Sequence, residues 1–347
     1  MHLSIPFALA IVVLTTLTGA QQPSVPEPAA HTPPPSSTPT DPATPTTTPT
    51  PKVRARHVTD PVKVLFCTAS FGFKHDVLPL AREVMTLQAD KLEWLELIAT
   101  DSADSITGTN LLTTLAEIDV LMLYTTGTLP FDAKQLAAWV EAGGALVGVH
   151  SATDTLSDDP AYVPLIGAVF DGHPWDEEVT ILAPEGDRHQ PQIGFNVEYH
   201  SNPSRRTFRI ADEIYQFKQL SDDRKVQFRL APGQPKMEPG RDYPLAWTSV
   251  RGKGRVFYSA LGHRPEVWNN PEFVRHVLNG LWWSAAGSGD RACKQCNVAM
   301  ERLPMAYGLR TDPVDPDKFI AGGCIVGLAH EGFRCPKCKH IEIPRDD

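Results

Sequence analysis

The stretch Gly143–Asp154, with the sequence GGALVGVHSATD, decides the expected fold. Two glycines precede the short apolar run Ala145–Val149, and His150 follows it directly. A run of this kind is typical of a parallel strand that is covered on both faces. In an open α/β sheet, ligands bind in the crevice outside the carboxyl ends of such strands. We therefore expect His150 at a functional edge of the sheet.

A second stretch, Gly252–His263, repeats this layout. A Gly-Lys-Gly turn precedes an apolar run, and His263 follows the last glycine. The turn lacks the spacing of a phosphate-binding loop and no helix follows it, so it predicts a hairpin. Two histidines at the ends of two buried strands predict one shared site.

Strands and helices alternate from Val62 onward, which predicts an α/β fold with a parallel sheet and right-handed crossovers. Helical spacing of apolar residues predicts helices at Val77–Gln88 and Phe131–Ala142. A closing helix is predicted at Pro271–Ala285. The other predicted strands are Val62–Cys67, Leu92–Ala99, Asp119–Tyr124, Val179–Leu182, Glu213–Gln219, Val226–Leu230, Leu245–Val250 and Arg255–Leu261.

The N-terminal segment predicts export. An apolar stretch from Leu3 to Leu17 is followed by small residues suited to signal-peptidase cleavage after Ala20. This stretch is too short for a membrane span. Residues 21–59 are rich in Pro and Thr and poor in large apolar side chains, so they cannot bury enough surface to order. We expect a signal peptide at 1–20, a disordered linker at 21–59, and a secreted or periplasmic protein.

The charge distribution limits the choice of partners. The net charge of the chain is −9, and no basic stripe interleaved with aromatic residues is present. Nucleic-acid-binding proteins carry such a stripe, so nucleic acid is not an expected partner.

Two Cys-x-x-Cys pairs near the C-terminus predict a small zinc-ribbon domain at residues 290–345. Four thiolates suit a tetrahedral zinc ion, and a segment this short gains most of its stability from a structural metal. The competing interpretation is disulfides, because an exported protein meets oxidants. Such a ribbon also offers a surface for a protein partner, and Cys324 has no assigned role. The predicted zinc ligands are Cys293, Cys296, Cys335 and Cys338.

The chain contains an ordered set of short motifs over about Val62 to Gly287: GFKHD at Gly72–Asp76, VHSATD at Val149–Asp154, GHP at Gly172–Pro174, DEIY at Asp212–Tyr215, LAW at Leu245–Trp247 and the Gly252–His263 stretch. This set resembles the ThuA-like (trehalose utilization) family, which is similar in fold to class I glutamine amidotransferases. The resemblance implies a flavodoxin-like, doubly wound and mainly parallel sheet over residues 60–287, with the site at its strand ends. It also implies a role in carbohydrate metabolism, on a sugar or keto-sugar. The C-terminal segment resembles a rubredoxin-like zinc ribbon.

The resemblance places His150 where the amidotransferases carry a cysteine on a sharp strand-to-helix turn. Cys67 instead lies inside the first predicted strand and is expected to be a buried apolar residue. Glutamine hydrolysis by a thiolate requires a cysteine at that turn. A cysteine-dependent glutamine amidotransferase is therefore excluded.

Histidines and carboxylates remain as the candidate catalytic groups. Imidazoles and carboxylates bind a divalent metal such as zinc, or act as acid and base on a sugar hydroxyl or carbonyl. Without a metal, His150 is the best candidate for a general base. The alternative is that several of these histidines only hydrogen-bond to the backbone at the starts of loops. The predicted catalytic residues are His75, His150, His263, Asp154 and Glu213, and His200 belongs to the wider histidine set.

Aromatic side chains in the same motifs are candidates for a carbohydrate site, because their faces stack on the C–H faces of sugars. The alternative is that they pack in the core, which for Trp247 is at least as reasonable. Three functions follow from these residues: a histidine- or metal-dependent enzyme on a sugar, a sugar-binding module without turnover, or an envelope interaction protein. The predicted substrate-binding residues are His173, Tyr215, Trp247, Tyr258 and Trp268.

Overall fold

The computed structural model of this chain describes residues 51–54, 60–183, 207–286, 293, 295–296, 301–306, 320–321 and 331–342. The predicted signal peptide and almost all of the predicted linker lie outside the described residues. His200 and Cys324 also lie outside them.

A nine-stranded sheet forms the centre of the first domain. Its strands are β1 (Val62–Cys67), β2 (Leu95–Thr100), β3 (Val120–Leu123), β4 (Ala145–Val149), β5 (Trp175–Leu182), β6 (Thr207–Ile214), β7 (Lys225–Leu230), β8 (Pro244–Arg251) and β9 (Gly254–Ser259). Their order in the sheet is β2-β1-β3-β4-β9-β8-β7-β5-β6. Strands β2, β1, β3, β4 and β9 run parallel, and the other four continue the sheet antiparallel. The predicted α/β class with a largely parallel central sheet is confirmed.

Strand β4 occupies a central position because all five of its residues are apolar or glycine and buried. It pairs in parallel with β9, and Val149 lies opposite Ser259 at the end of this ladder. The residues that follow, His150 and Ala260, therefore leave the sheet side by side. This register positions the site described below.

The first three helices connect consecutive parallel strands of the sheet. Asp132 caps the third helix, Ala133–Ala142, by accepting hydrogen bonds from the backbone N–H groups of Lys134 and Gln135. The helix predicted at Phe131–Ala142 therefore begins two residues later than expected. The helices are α1 (Leu78–Ala89), α2 (Asn110–Glu117), α3 (Ala133–Ala142), α4 (Tyr162–Ile166), α5 (Pro265–Trp268) and α6 (Pro271–Ala286), with 3₁₀ turns at Asp104–Ile106 and His150–Asp154.

The structure corrects the strand predicted at Glu213–Gln219. Strand β6 ends at Ile214, and a separate two-residue strand, Phe217–Lys218, pairs antiparallel with Val169–Phe170. Gln216 exchanges backbone hydrogen bonds with Asp171 and Gly172 at the start of this small ribbon. The chain therefore leaves the large sheet immediately after Ile214. The stretch predicted as one strand contains the end of β6 and a second, separate strand.

Helix α2 was not predicted. Its buried contacts come from Leu111 and Leu115, four residues apart, so its apolar pattern spans a single turn. So short a pattern does not distinguish a helix from a loop.

The Gly252–Gly254 turn joins β8 to β9, as expected of a hairpin. A Cβ on Gly254 would overlap the carbonyl oxygens of Val140 and Gly144. Glycine is therefore required where the hairpin packs against the end of α3.

Four short strands lie in the C-terminal segment: β10 (Glu301–Ala306), β11 (Ile320–Ala321), β12 (Glu331–Arg334) and β13 (Ile341–Glu342). They form a sheet in the order β11-β10-β12-β13, with Arg334 of β12 paired to Glu301 of β10. Within the described ranges, no helix has both the length and the apolar character needed to cross a membrane.

Candidate functional site

Four side chains meet at the carboxyl edge of the parallel strands. One ligand atom from each of His75, His150, Glu213 and His263 lies within 4.8 Å of the others. We call this group the histidine cluster. His75 follows β1, His150 ends β4, His263 follows β9, and Glu213 comes from β6 at the edge of the sheet. Parallel strands end on the same side of a sheet, which is why the three histidines, so distant in sequence, converge. Glu213 joins them from the antiparallel part of the sheet.

His150 lies on a sharp turn between β4 and a 3₁₀ helix. Its φ angle is 46°, in the left-handed region that residues other than glycine seldom adopt. The Tyr258 hydroxyl donates a hydrogen bond of 2.6 Å to the His150 carbonyl oxygen, and the side chain is completely buried. Strained backbone of this kind persists where surrounding contacts fix it, and it is concentrated at functional sites.

The hydrogen bonds of His150 define which of its nitrogens faces the cluster. Nδ1 lies 2.6 Å from the carbonyl oxygen of Ala260 and must donate to it, because a carbonyl only accepts. Nε2 then points into the cluster with a lone pair in the neutral ring. A backbone carbonyl on the second nitrogen is the usual outer contact of a metal-binding histidine.

Three ligand atoms form a nearly equilateral triangle. His150 Nε2 lies 3.3 Å from Glu213 Oε2 and 3.3 Å from His263 Nδ1, and His263 Nδ1 lies 3.2 Å from Glu213 Oε2. Tetrahedral zinc with bonds of about 2.0–2.1 Å separates its ligands by roughly 3.3–3.4 Å. The spacing therefore fits a zinc ion, and the donor set of imidazoles and a carboxylate suits it.

His75 adds a third imidazole to the cluster. Its ring centroid lies 4.9 Å from that of His150 and 5.3 Å from that of His263. Its Nδ1 is buried and has no hydrogen-bond partner among the described residues. Burial, followed by the nearby charges of His150 and His263, lowers the pKa of His75 to about 3. The ring is therefore neutral at physiological pH, which is the form that binds a metal.

Glu213 supplies the negative charge of the cluster. Burial alone raises the pKa of Glu213, but the hydrogen bonds and charges that His150 and His263 supply in their protonated forms outweigh it and hold that pKa well below its usual range. The hydrogen bond with Glu213 correspondingly raises the pKa of His263. An ionised carboxylate among imidazoles favours a bound cation or a protonated ring.

The loop that carries His263 is held from three sides. Buried Asp212 accepts hydrogen bonds from the backbone N–H groups of Gly262 (2.7 Å) and Arg264 (3.1 Å), the two neighbours of His263. The Gly262 carbonyl accepts hydrogen bonds from Tyr124 Oη (2.9 Å) and Trp268 Nε1 (2.8 Å). Burial raises the pKa of Asp212. The sequence places Asp212 beside Glu213 in the same motif, but it gave no indication of these contacts with the His263 loop, either from Asp212 or from Tyr124.

His173 and Tyr215 lie at the margin of the cluster. His173 Nδ1 lies 3.2 Å from the second carboxylate oxygen of Glu213, and 46% of the His173 side chain is exposed. The Tyr215 ring lies 4.2 Å from the ring of His150, at 33°. Tyr215 is almost completely buried, so it covers His150 and leaves His173 as the polar group nearest to solvent.

Three predicted substrate-binding residues are core residues in the structure. Trp247, Tyr258 and Trp268 are buried to within 1% of complete, so they offer no face to a sugar. Trp247 Nε1 donates to the Ile166 carbonyl at 2.9 Å, and its ring packs on Tyr258. Tyr258 and Trp268 instead support His150 and the His263 loop from beneath.

Asp154 lies outside the group of four. It is half-buried, and burial raises its pKa. Its charge acts on Tyr215 and Tyr258. The structure therefore brings together four of the five predicted catalytic residues.

The four predicted ribbon cysteines also converge. Cys296 Sγ lies 3.2 Å from Cys335 Sγ and 3.8 Å from Cys338 Sγ, and Cys293 Sγ lies 3.6 Å from Cys338 Sγ. All four are free thiols. Zinc–sulfur bonds of about 2.3 Å separate tetrahedral ligands by roughly 3.8 Å. The backbone N–H of Cys338 lowers the pKa of Cys335 to about 6, which favours its thiolate.

The fold is thus an open α/β sheet with a buried histidine–carboxylate cluster at its carboxyl edge. The ThuA family, described as trehalose utilisation, matches residues 63–284, more than half of the chain. The protein belongs to the ThuA family.

Solved structures of ThuA-like proteins resemble this fold. One from Bacteroides uniformis ATCC 8492 has 19% sequence identity and a TM-score of 0.52, over 66% of this chain and 94% of that one. Another, from Parabacteroides merdae ATCC 43184, has 15% identity and a TM-score of 0.49, over 68% of this chain and 94% of that one. No curated protein matches this chain.

Proposed function

We propose that this protein is a metal-assisted enzyme that acts on a sugar or keto-sugar at the histidine cluster. The observation that carries the proposal is the triangle of His150, His263 and Glu213 ligand atoms, with sides of 3.2 to 3.3 Å. The description of the family as trehalose utilisation supports a carbohydrate as the substrate.

His150, His263 and Glu213, together with His75, would hold the ion. A bound divalent metal polarises a carbonyl oxygen or lowers the pKa of a water molecule. The Ala260 carbonyl fixes the tautomer of His150, so that Nε2 keeps its lone pair toward the cluster. These contacts orient the ligands before any substrate arrives.

We assign proton transfer at this site to His173. It contacts the oxygen of Glu213 that does not face His150, and its side chain is half-exposed. It therefore links the carboxylate to solvent and to a substrate hydroxyl. Tyr215, packed over His150, excludes water from the opposite side of that ring.

The test is turnover of a keto-sugar derived from trehalose by the zinc-loaded, full-length protein. His150→Asn removes the imidazole while keeping a residue that tolerates positive φ, so it disturbs the backbone less than Ala would. We expect turnover to fall by about a hundredfold or more, with one zinc ion lost per chain. Full activity in this variant would refute the assignment. Zinc and sugar binding without turnover in the wild type would favour a binding module.

We further propose that Cys293, Cys296, Cys335 and Cys338 hold a structural zinc ion. The spacing of their sulfur atoms supports this. Removal of the ion with a chelator should unfold the C-terminal segment, as is usual for small zinc domains. A segment that keeps its amide dispersion in NMR spectra after zinc removal would contradict the proposal.

Export remains a proposal that rests on the sequence of residues 1–20. N-terminal sequencing of the mature protein should begin near Gln21. Recovery of Met1 from the cytoplasmic fraction alone would contradict it.

A further inference from the structure

Two exposed aromatic side chains occur in the described part of the chain, and both lie in the turn at residues 70–73, which begins with the two-residue strand Ser70–Phe71. Phe71 is 53% exposed and Phe73 is 66% exposed. The other described Phe, Tyr and Trp rings are buried or partly buried. A single exposed apolar side chain is common on protein surfaces and needs no explanation. Whether these two rings have a function therefore depends on where the turn lies and on how firmly it is held.

The turn is fixed by a neighbouring segment. Residues 70–71 pair in parallel with residues 126–127, and Thr126 Oγ1 donates a hydrogen bond of 2.7 Å to the Phe73 carbonyl. Gly127 has a φ of 76°, and a Cβ there would lie 2.5 to 2.6 Å from the backbone of Phe71 and Gly72. Glycine at 127 thus permits a close approach that holds the backbone of the exposed rings in place.

Phe73 borders the histidine cluster. Its ring stands edge-on to the ring of His75, with centroids 4.9 Å apart and an interplanar angle of 85°. His75 in turn contacts the rings of His150 and His263. The ring contacts described in the structure include none between Phe71 and a histidine of the cluster. The two phenylalanines therefore share a turn but differ in their relation to the site.

A polar group reaches the same cluster from another element. His173 contacts Glu213, and its ring stacks on Phe170 with an interplanar angle of 16°. The accessible margin of the cluster thus combines an apolar ring at Phe73 with an imidazole at His173. A pyranose has complementary chemistry, because it presents a C–H face and a hydroxyl edge.

We propose that Phe73 is a substrate-binding residue whose ring packs against the C–H face of the sugar that delivers an oxygen to the histidine cluster. The inference rests on the proposed function, because it takes the cluster as the place where that oxygen binds. Phe73 fills the role that Trp247, Tyr258 and Trp268 cannot fill from the core.

The test is calorimetric binding of trehalose and of D-glucose to zinc-loaded, full-length protein. Phe73→Ala should weaken binding of both sugars about tenfold, because both offer the same ring to Phe73. Phe73→Trp should keep the wild-type affinity, since it retains an aromatic face. Phe71→Ala is the matched control, and its affinities should equal those of the wild type.

Equal losses in the Phe71 and Phe73 variants, or no loss in either, would overturn the inference. A loss confined to trehalose would also overturn it, because Phe73 would then contact the second ring. Wild-type protein that binds zinc at the cluster but neither sugar would refute the inference and leave the metal site standing. Protein that binds both sugars through Phe73 but holds no metal at the cluster would refute the proposed metal-assisted function alone.

Discussion

Acid should destabilise the first domain through His75, and His75→Asn should remove that effect. The folded protein holds the pKa of His75 at about 3, against an ordinary value of 6.5. Between these values the unfolded chain binds a proton that the folded chain does not, so the free energy of unfolding falls as the pH drops below 6.5. At pH 5 the loss amounts to about 2 kcal/mol relative to neutral pH, from 1.36 kcal/mol for each pH unit. The side chain is 4% exposed, so solvent screening reduces this value little.

Urea unfolding at pH 7 and pH 5, followed by tryptophan fluorescence, measures this difference. All seven tryptophans lie between residues 94 and 283, so the signal reports the first domain and not the ribbon. A chelator keeps metal from competing with protons. The wild type should lose about 2 kcal/mol more than His75→Asn between the two pH values. His173→Asn is the control for loss of an imidazole beside Glu213. If the free energies of unfolding of the wild type and His75→Asn fell equally between pH 7 and pH 5, the role given to His75 would be refuted.

Three further changes test the structure around the site and the ribbon. Asp212→Asn leaves one backbone N–H of the His263 loop without its acceptor, so it should lower the free energy of unfolding in urea by about 1–3 kcal/mol. An unchanged free energy of unfolding would show that Asp212 does not stabilise this loop. Gly254→Ala drives a Cβ against the Val140 carbonyl and should lower the free energy of unfolding by about 1–3 kcal/mol, so full stability would show that the hairpin can shift. Cys335→Ser should lose one zinc ion by metal analysis while the tryptophan-detected unfolding of the first domain stays unchanged, and joint unfolding would contradict separate domains.

The positions of the histidines were predictable from local sequence because each follows a buried strand. The apolar runs before His150 and His263 match β4 and β9 closely, and the parallel pairing of these two strands brings their ends together. Because ligands bind outside the carboxyl ends of the strands in α/β sheets, a single site that contains both histidines could be predicted. The elbow position of His150 followed from the family resemblance, and its φ of 46° agrees with it.

Burial of the aromatic residues could not be predicted in the same way. Trp247 and Tyr258 lie on neighbouring strands and their rings pack against each other. The residues around them in the sequence do not show whether such a pair lies in the core or forms an exposed surface for a sugar. Phe73 was missed because it lies in a turn, where apolar residues carry no periodic pattern. The available signal was its place between Gly72 and His75 in a motif already chosen for its histidine.

Long-range polar contacts were also beyond sequence reasoning. Asp212 and the backbone of Gly262 are 50 residues apart, and their hydrogen bond depends on β6 lying at the sheet edge next to the His263 loop. Glu213 was correctly chosen as a neighbour of the histidines even though its strand was placed wrongly. Its motif, and not its predicted secondary structure, carried that information.

The proposed function depends on metal binding at the histidine cluster. Diffraction from crystals of the full-length protein, recorded at the zinc absorption edge after loading with zinc, tests it most directly. We predict an anomalous peak about 2.0–2.2 Å from His150 Nε2, His263 Nδ1 and Glu213 Oε2, in addition to a peak among the four ribbon cysteines. A ribbon peak with no peak between these three atoms would contradict the claim.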